Sequence, residues 1–362
     1  MKRSLLILAL LVIILLLLLF SYCQPPSEVE VSPDWSYSPQ ADKPIARFVA
    51  LADGGMLAAT PDGDVLAIDT DGNETTLVAA APIERKPRVV FNPGGDSFGI
   101  LRDAVFELYD PQGSKLSELP FQGGMFKLVP SSRKVYSPEV REFGEDNRQV
   151  QKARILDPHG VELATWPATG LEISRLTDQH LVYATHEELV KTTLSGTELW
   201  RVPLRVRKLA ISRDAVHSVV NSSLESSKIH YFREESELGN DDLGSPVWNI
   251  AISPDGGHAA ATTRTGLSLY ADGARLYSID LDLEYTVSVA VNNNGEVLVG
   301  GQKSGHAAQV ALYSRDGVLL WEESSGTDNS AWRPEVRFDD SGDRYFVRYR
   351  NLMASYIIVR AP

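Results

Sequence analysis

Apolar and polar residues alternate along most of this chain in short runs that are separated by turn residues. Residues 251–281 show the pattern, since three apolar runs of strand length are divided by the turns "SPDGG" and "ADG". Two-residue alternation bounded by turns rich in glycine and aspartate predicts β-hairpins. A meander of this size cannot cover both of its own faces, so other parts of the chain have to pack against it.

Both turns of this stretch recur along the chain. Seven further counterparts of the first turn each follow a short apolar run and begin at Ala52, Asn92, Pro130, Leu176, Ser212, Asn292 and Asp339. The second turn carries a glycine at Gly72, Gly113, Gly160, Gly196, Gly273 and Gly317, and a degenerate copy near Ser236 lacks one. Counting the degenerate copy, the spacing averages about 41 residues. Glycine suits these turns because it readily takes a positive φ.

A repeat of about 40 residues with four short strands is typical of a β-propeller blade. Each blade covers its face by stacking on the next, and ring closure leaves no blade bare. The pattern therefore predicts an all-β fold, a single propeller of eight four-stranded blades over residues 44–362. A β-sandwich of many strands is the alternative, but it does not require regular spacing.

The two ends of the chain are predicted to share one blade. There are eight first turns but only seven second turns, and the final unit stops after what should be its third strand. The missing outer strand has a natural donor in "EVEVSPDWSY" at 28–37, within a linker over 24–43. Pairing the chain ends in this way removes an exposed sheet edge and closes the ring.

Residues 1–23 read as a membrane segment. Two basic residues precede an unbroken apolar run from Leu5 to Phe20. A helix through Cys23 would span roughly 28 Å, close to the thickness of a bilayer core. The pattern predicts one N-terminal transmembrane helix in the cytoplasmic membrane, with the propeller on the extracytoplasmic, periplasmic side. A lipoprotein with a lipid on Cys23, or a cleaved signal peptide, is the alternative, although "FSYC" is a poor lipobox.

Composition and short motifs limit the partners and the chemical sites that this chain is expected to have. The net charge of −13 makes nucleic acid an unlikely partner. A single cysteine allows no intrachain disulfide. The seven histidines form neither HxH nor HExxH, and the chain contains no P-loop. We therefore expect no metal site and no cofactor.

The repeats resemble those of WD40-like and quinoprotein-like propellers over roughly residues 45–359. "AISPDGGHAAATT" resembles the first hairpin of bacterial WD40-like repeats, and "LSGTELW" and "SRDGVLLW" resemble the end of a quinoprotein-type repeat. Catalytic quinoproteins carry a vicinal cysteine pair, which a chain with Cys23 alone cannot form. The resemblance is therefore to the non-catalytic branch, and Trp200 and Trp321 are expected to pack between blades.

The resemblance implies two classes of function. Some quinoprotein-like lipoproteins act as scaffolds in outer-membrane assembly, which favours a membrane-tethered protein that binds other proteins of an envelope complex. The alternative is a propeller enzyme, lactonase-like or sulfotransferase-like, that uses the axial funnel. Such enzymes need converging polar ligands, and the inner strands here begin with a mixed set: Arg47, Arg88, Lys127, Glu172, Lys208, Asn249, Ser288 and Glu335. With no evident metal cage in this ring, the scaffold is favoured over the enzyme.

A binding surface is predicted on the face that collects the blade-joining loops and the loops between second and third strands. The third unit carries a long insertion at 137–151, and three blade-joining loops contain tryptophan or arginine. These residue types dominate protein interfaces. The predicted partner-binding residues are Arg141, Phe143, Arg148, Trp166, Arg205, Arg207, Trp332 and Arg333.

Overall fold

The computed structural model describes residues 29–39, 44–80, 86–121, 126–143, 149–167, 173–185, 187–303, 307–324, 334–349 and 352–360. Only the backbone is described at 138–143, 149–151 and 166–167. Thirty-two strands in these residues form eight antiparallel sheets of four strands each. The predicted all-β, eight-bladed propeller is confirmed.

The first strand of the chain is not part of blades 1 to 4. Those four blades follow it in chain order. That strand is β1 (Val29–Tyr37). The strands of blades 1 to 4 are β2 (Arg47–Ala50), β3 (Met56–Ala59), β4 (Val65–Ile68), β5 (Glu74–Val78), β6 (Arg88–Phe91), β7 (Phe98–Arg102), β8 (Val105–Tyr109), β9 (Lys115–Pro120), β10 (Lys127–Leu128), β11 (Val135–Phe143), β12 (Gln149–Leu156), β13 (Glu162–Pro167), β14 (Ile173–Leu176), β15 (His180–Ala184), β16 (Leu189–Thr193) and β17 (Glu198–Val202).

Blades 5 to 8 continue the same order from the inner to the outer strand. Their strands are β18 (Val206–Ile211), β19 (His217–Ser222), β20 (Lys228–Arg233), β21 (Ser236–Asp242), β22 (Asn249–Ile252), β23 (His258–Thr262), β24 (Gly266–Ala271), β25 (Ala274–Asp280), β26 (Tyr285–Val291), β27 (Val297–Gln302), β28 (Ala308–Tyr313), β29 (Leu319–Ser324), β30 (Glu335–Phe338), β31 (Arg344–Arg348) and β32 (Met353–Arg360). Blade 8 has only three strands from this part of the chain.

The N-terminal strand completes blade 8, as predicted. β1 pairs antiparallel with β32, from Val29 opposite Arg360 to Tyr37 opposite Met353. The Trp35 indole then reaches across to blade 1, where Nε1 donates a 3.1 Å hydrogen bond to the Gly54 carbonyl. The hydrogen bonds between β1 and β32 therefore hold the two ends of the ring together.

The hydrophobic core consists of separate layers between neighbouring blades. In one layer, Val49 and Leu57 of blade 1 pack with Phe98 and Ile100 of blade 2. The same arrangement between blades 7 and 8 includes the Trp321 side chain, whose ring centre lies 5.6 Å from that of Tyr345. The faces that a single meander leaves bare are covered by the next meander.

The predicted hairpin turns are present, and one of them explains the degenerate repeat. All six predicted turn glycines have a φ between 80° and 87°. At the corresponding turn of blade 5, Glu234 takes a φ of 52° instead. Its carboxylate accepts a 2.7 Å hydrogen bond from Lys191 Nζ of blade 4, and that ammonium also donates to the Ala215 carbonyl at 2.8 Å. Glu235 stands where the blade 6 turn has Gly273, and the residue before it, Glu234, pairs with a buried cation.

The predicted membrane segment at 1–23 lies outside the described residues. In the part of the chain that the structure describes, no helix has the length and hydropathy needed to cross a membrane.

Candidate functional site at the connection face and the channel mouth

One face of the ring, here called the connection face, collects the loops that join successive blades. Each inner strand starts at this face, because it follows directly from a blade-joining loop. The loops between second and third strands end there too. Arg205, in the loop that joins blades 4 and 5, accepts a 2.9 Å hydrogen bond at its carbonyl from Ser223 N and pairs at 3.4 Å with Glu187. Ser223 and Glu187 both belong to loops between second and third strands.

The structure places two of the predicted partner-binding side chains on this face. Arg205 and Arg207 both stand at the start of blade 5 with exposed side chains. Only the backbone is described for a second group, which lies in β11 and β13: Arg141, Phe143 and Trp166. The remaining predicted residues lie outside the described residues: Arg148, Trp332, Arg333 and the alternative lipidation site Cys23.

The insertion in the third unit extends a hairpin. The prediction treated 137–151 as a long loop, but β11 continues to Phe143 and pairs with β12 from Val140 opposite Lys152 to Phe143 opposite Gln149. β11 has nine residues, whereas the second strands of the other blades have four to six. Because the extra residues lie at the end of β11 and the start of β12, this blade 3 hairpin projects from the connection face.

Sequence reasoning missed two exposed apolar residues on the same face. Leu224, in the loop between β19 and β20, is 71 % exposed, and Trp248, just before β22, is 40 % exposed. Backbone hydrogen bonds join this loop to both neighbouring blade connections, from Ser223 N to the Arg205 carbonyl and from Val247 N to the Ser226 carbonyl. Arg205, Leu224 and Trp248 therefore form one surface, the blade 5 rim. Trp248 lies in a blade-joining loop, and this is the same signal by which Trp332 was predicted.

A cavity of about 280 Å³ opens on the inner strands of blades 3 to 6, near the starts of those strands and so at the connection face. Among the described residues that line it, all charged side chains are positive, although the protein carries a net charge of −13. Together with Asn249, these cations define the cationic cavity: Lys127, Arg175, Arg207 and Lys208. Glu172, which the sequence places in the same ring, lies outside the described residues.

The other half of the channel has mixed charge. A cavity of about 710 Å³ runs along the inner strands of blades 8, 1 and 2. At its connection-face end, the Glu335 carboxylate accepts hydrogen bonds from Arg337 at 2.6 Å and Arg348 at 2.7 Å. Although burial opposes ionisation, these two arginines hold the pKa of Glu335 below its usual value. Positive charge in this half is therefore partly neutralised by the protein itself.

The pKa values of several basic side chains on the inner strands are lowered because these side chains are partly buried close to one another. Burial, and after it the neighbouring Arg175, lowers the pKa of Lys127 to about 8. Burial and then Arg207 lower the pKa of Lys208. Arg175 keeps solvent-accessible surface in the channel, yet the surrounding strands bury it enough to lower its pKa as well. A cation that is desolvated beside another cation is disfavoured in its charged form.

The far end of the channel differs from the mouth. There the first turns of the blades meet, and Arg213 of blade 5 forms an ion pair with Asp340 of blade 8. The two blades are three positions apart around the ring, so this pair spans the lower channel. Arg213 and Asp340 therefore lie at the end of the channel opposite the cationic cavity.

Trp200 and Trp321 pack between blades, as expected. The Trp200 side chain contacts the core layer of blades 4 and 5, and its Nε1 donates to Glu234 at 2.8 Å. Trp321 lies between blades 7 and 8. Among the described residues, no group of three or more histidine, cysteine, aspartate or glutamate side chains could hold a metal ion.

These features define an eight-bladed β-propeller. The structure is similar to BamB from Moraxella catarrhalis, with a TM-score of 0.62 and 13 % identity over 91 % of this chain and 100 % of that one. It is also similar to the C-terminal WD40 domain of Sif2, with a TM-score of 0.63 and 10 % identity over 91 % of this chain and 98 % of that one.

A third similar structure is Hsv2 from Kluyvelomyces marxianus, with a TM-score of 0.54 and 8 % identity over 76 % of this chain and 96 % of that one. No family model and no curated protein sequence matches the chain. At these identities the likeness concerns the fold alone.

Proposed function

We propose that this chain is a membrane-tethered, extracytoplasmic propeller that binds other proteins as a scaffold within a membrane-associated complex. The observation that carries this proposal is the blade 5 rim, where Leu224 and Trp248 stay exposed beside Arg205 on the connection face. Exposed apolar groups next to an arginine are typical of the residues that dominate interface energetics. The projecting blade 3 hairpin adds a second contact element on the same face.

The predicted patch is part of this proposal. Arg141, Phe143 and Arg148 belong to the blade 3 hairpin, and Arg205 belongs to the blade 5 rim. Trp166, Arg207, Trp332 and Arg333 stay with the patch because they lie in or next to blade-joining loops, which lead to the connection face. The likeness to BamB along the whole of that chain is compatible with a scaffold, and so is the resemblance to quinoprotein-like lipoproteins of outer-membrane assembly.

Charged substitutions on the rim are expected to weaken partner binding strongly. Leu224→Asp and Trp248→Asp, each in the full-length chain, should reduce recovery of crosslinked membrane partners by about tenfold or more, as for central interface residues. Replacing 139–150 by a short Gly-Ser turn should weaken recovery through loss of the hairpin. Quantitative mass spectrometry after affinity purification from crosslinked membranes measures the effect.

The matched control is an exposed apolar residue on the opposite face. Val161, in the turn between β12 and β13, is 59 % exposed. Val161→Asp makes the same chemical change away from the connection face and should leave recovery unchanged. If folded Leu224→Asp and Trp248→Asp variants recover the same partners as the Val161→Asp control, the scaffold surface is wrongly assigned.

Membrane attachment is tested separately. A reporter fused after the propeller should be active only outside the cytoplasm. Mass spectrometry of the mature N-terminus then distinguishes the forms of attachment, because Met1 is retained in a transmembrane anchor and Cys23 is diacylated in a lipoprotein. Recovery of the whole chain as a soluble cytoplasmic protein would contradict both.

A further inference from the structure

The cationic cavity concentrates positive charge that its described surroundings do not neutralise. In the part of the chain that the structure describes, no carboxylate lies within ion-pair distance of Lys127, Arg175 or Lys208. The arginines on the outside of the same blades behave differently, since Arg201 pairs with a glutamate at 2.9 Å and Arg205 pairs with another at 3.4 Å. Basic groups near the axis are therefore left without the counter-charge that the surface provides.

The arrangement of the side chains indicates a binding site facing the channel. Lys127 Nζ is held by the Ser174 carbonyl at 2.6 Å and the Ser174 hydroxyl at 2.8 Å, and Arg175 Nη1 donates to the same carbonyl at 3.1 Å. These hydrogen bonds fix the lysine and the arginine against one strand, β14. Fixed donors need little reordering when a ligand arrives, which favours binding.

The number of charges and the volume point to one class of ligand. Arginine forks match phosphate geometry, and lysine adds a compact point charge. Four cations are poorly balanced by one carboxylate and well balanced by a group with several negative charges. The cavity of about 280 Å³ is large enough for several water molecules, and so for an anion that carries several oxygen atoms.

We propose that the cationic cavity binds a small phosphate-bearing anion with about the size and charge of a diphosphate group. The site shares Arg207 with the predicted patch but none of the blade 5 rim residues, since its other cations come from the inner strands of blades 3, 4 and 5. An anion here neutralises the crowded cations and links three blades at the mouth of the channel.

Pyrophosphate titrated into the full-length chain in detergent micelles is expected to bind one site per chain by isothermal titration calorimetry. Arg175→Gln and Lys208→Gln should each weaken that binding by about tenfold or more, because each removes a charged hydrogen-bond donor. The matched control is Arg213→Gln, which makes the same charge change at the far end of the channel and should leave the affinity unchanged. Acetate, with a single charge, should not compete.

The pH dependence separates this site from general attraction to a basic surface. The groups near Lys127 are Arg175 and Ser174 on β14, Arg88 on β6, Tyr136 on β11, and Lys208 on β18. Sulfate keeps its charge over the relevant range, so its affinity should fall as the pH rises through about 8 and Lys127 loses its proton. Lys127→Met should remove this dependence.

Three results would overturn the proposal. The first is no heat and no thermal stabilisation with either pyrophosphate or sulfate, as expected if a carboxylate such as Glu172 already neutralises the cavity. The second is binding that Arg175→Gln and Arg213→Gln weaken equally. The third is sulfate affinity that does not change with pH in the wild-type chain. None of these results depends on the blade 5 rim variants, so this proposal and the scaffold function can fail independently.

Discussion

Replacing Trp35 by alanine is expected to destabilise the ring by about 3–5 kcal/mol, the usual cost of emptying a buried tryptophan site. Trp35 is 6 % exposed and packs in one layer with Phe48 and Met56 of blade 1 and Phe346 of blade 8. Its hydrogen bond to the Gly54 carbonyl is lost as well. The substitution therefore leaves a cavity at the seam where the two ends of the ring meet.

Chemical denaturation followed by far-UV circular dichroism measures this loss without relying on tryptophan fluorescence. Trp248→Ala is the control, since Trp248 is partly exposed and packs at 6.1 Å on Tyr285 alone among the aromatic rings described; it should cost less than about 1 kcal/mol. Deleting 29–37 should go further and expose the edge of β32, which favours association between chains. A monomeric deletion variant of unchanged stability would show that β1 does not close the ring.

Glu234→Gly is expected to destabilise the protein by about 2 kcal/mol, although glycine accepts the positive φ of this turn position more readily. A non-glycine residue at a φ of 52° costs roughly 1–2 kcal/mol, which glycine would relieve. Against this gain, Lys191 is 2 % exposed and loses its carboxylate partner. Leaving a buried charge unpaired costs about 3–5 kcal/mol, and the loss of ion pairing outweighs the relief of the turn.

The control for this prediction is the corresponding turn of blade 6. Asp272 occupies the same first turn position with a φ of 47° and an exposed side chain. Asp272→Gly should be neutral or slightly stabilising, because only the turn conformation changes. Equal responses of the two variants in thermal and chemical denaturation would mean that the Lys191 pair contributes nothing.

The sequence was enough to predict the blades because their determinants are local. Each hairpin is specified by strand alternation and a turn within about ten residues, and eight such units recur at nearly constant spacing. The missing outer strand in the last unit then pointed to 28–37, and β1 over Val29–Tyr37 confirms it. Even the predicted packing of Trp200 and Trp321 followed from their position within the repeat.

Predictions were wrong or incomplete where a residue acts through a distant partner. The sequence predicts a loop at 137–151 because charged residues interrupt the alternation of apolar and polar positions. In the structure, Val140 nevertheless pairs with Lys152. In the degenerate turn of blade 5, Glu234 pairs with Lys191, 43 residues away in another blade. Nothing in the local pattern around either residue indicates that contact.

The sequence by itself determined the eight-bladed ring, its closure by the N-terminal strand and the turns that build it, because these depend on neighbours along the chain. It also indicates a membrane segment over 1–23, which stays a prediction. The positions of the two candidate sites, the cationic cavity and the blade 5 rim, depend on the tertiary structure. Lys127, Arg175 and Lys208 come from three different repeats, and only the packing of the blades brings them to one cavity. Likewise, Leu224 and Trp248 lie in two different loops. They form one surface only because backbone hydrogen bonds join these loops in the folded ring.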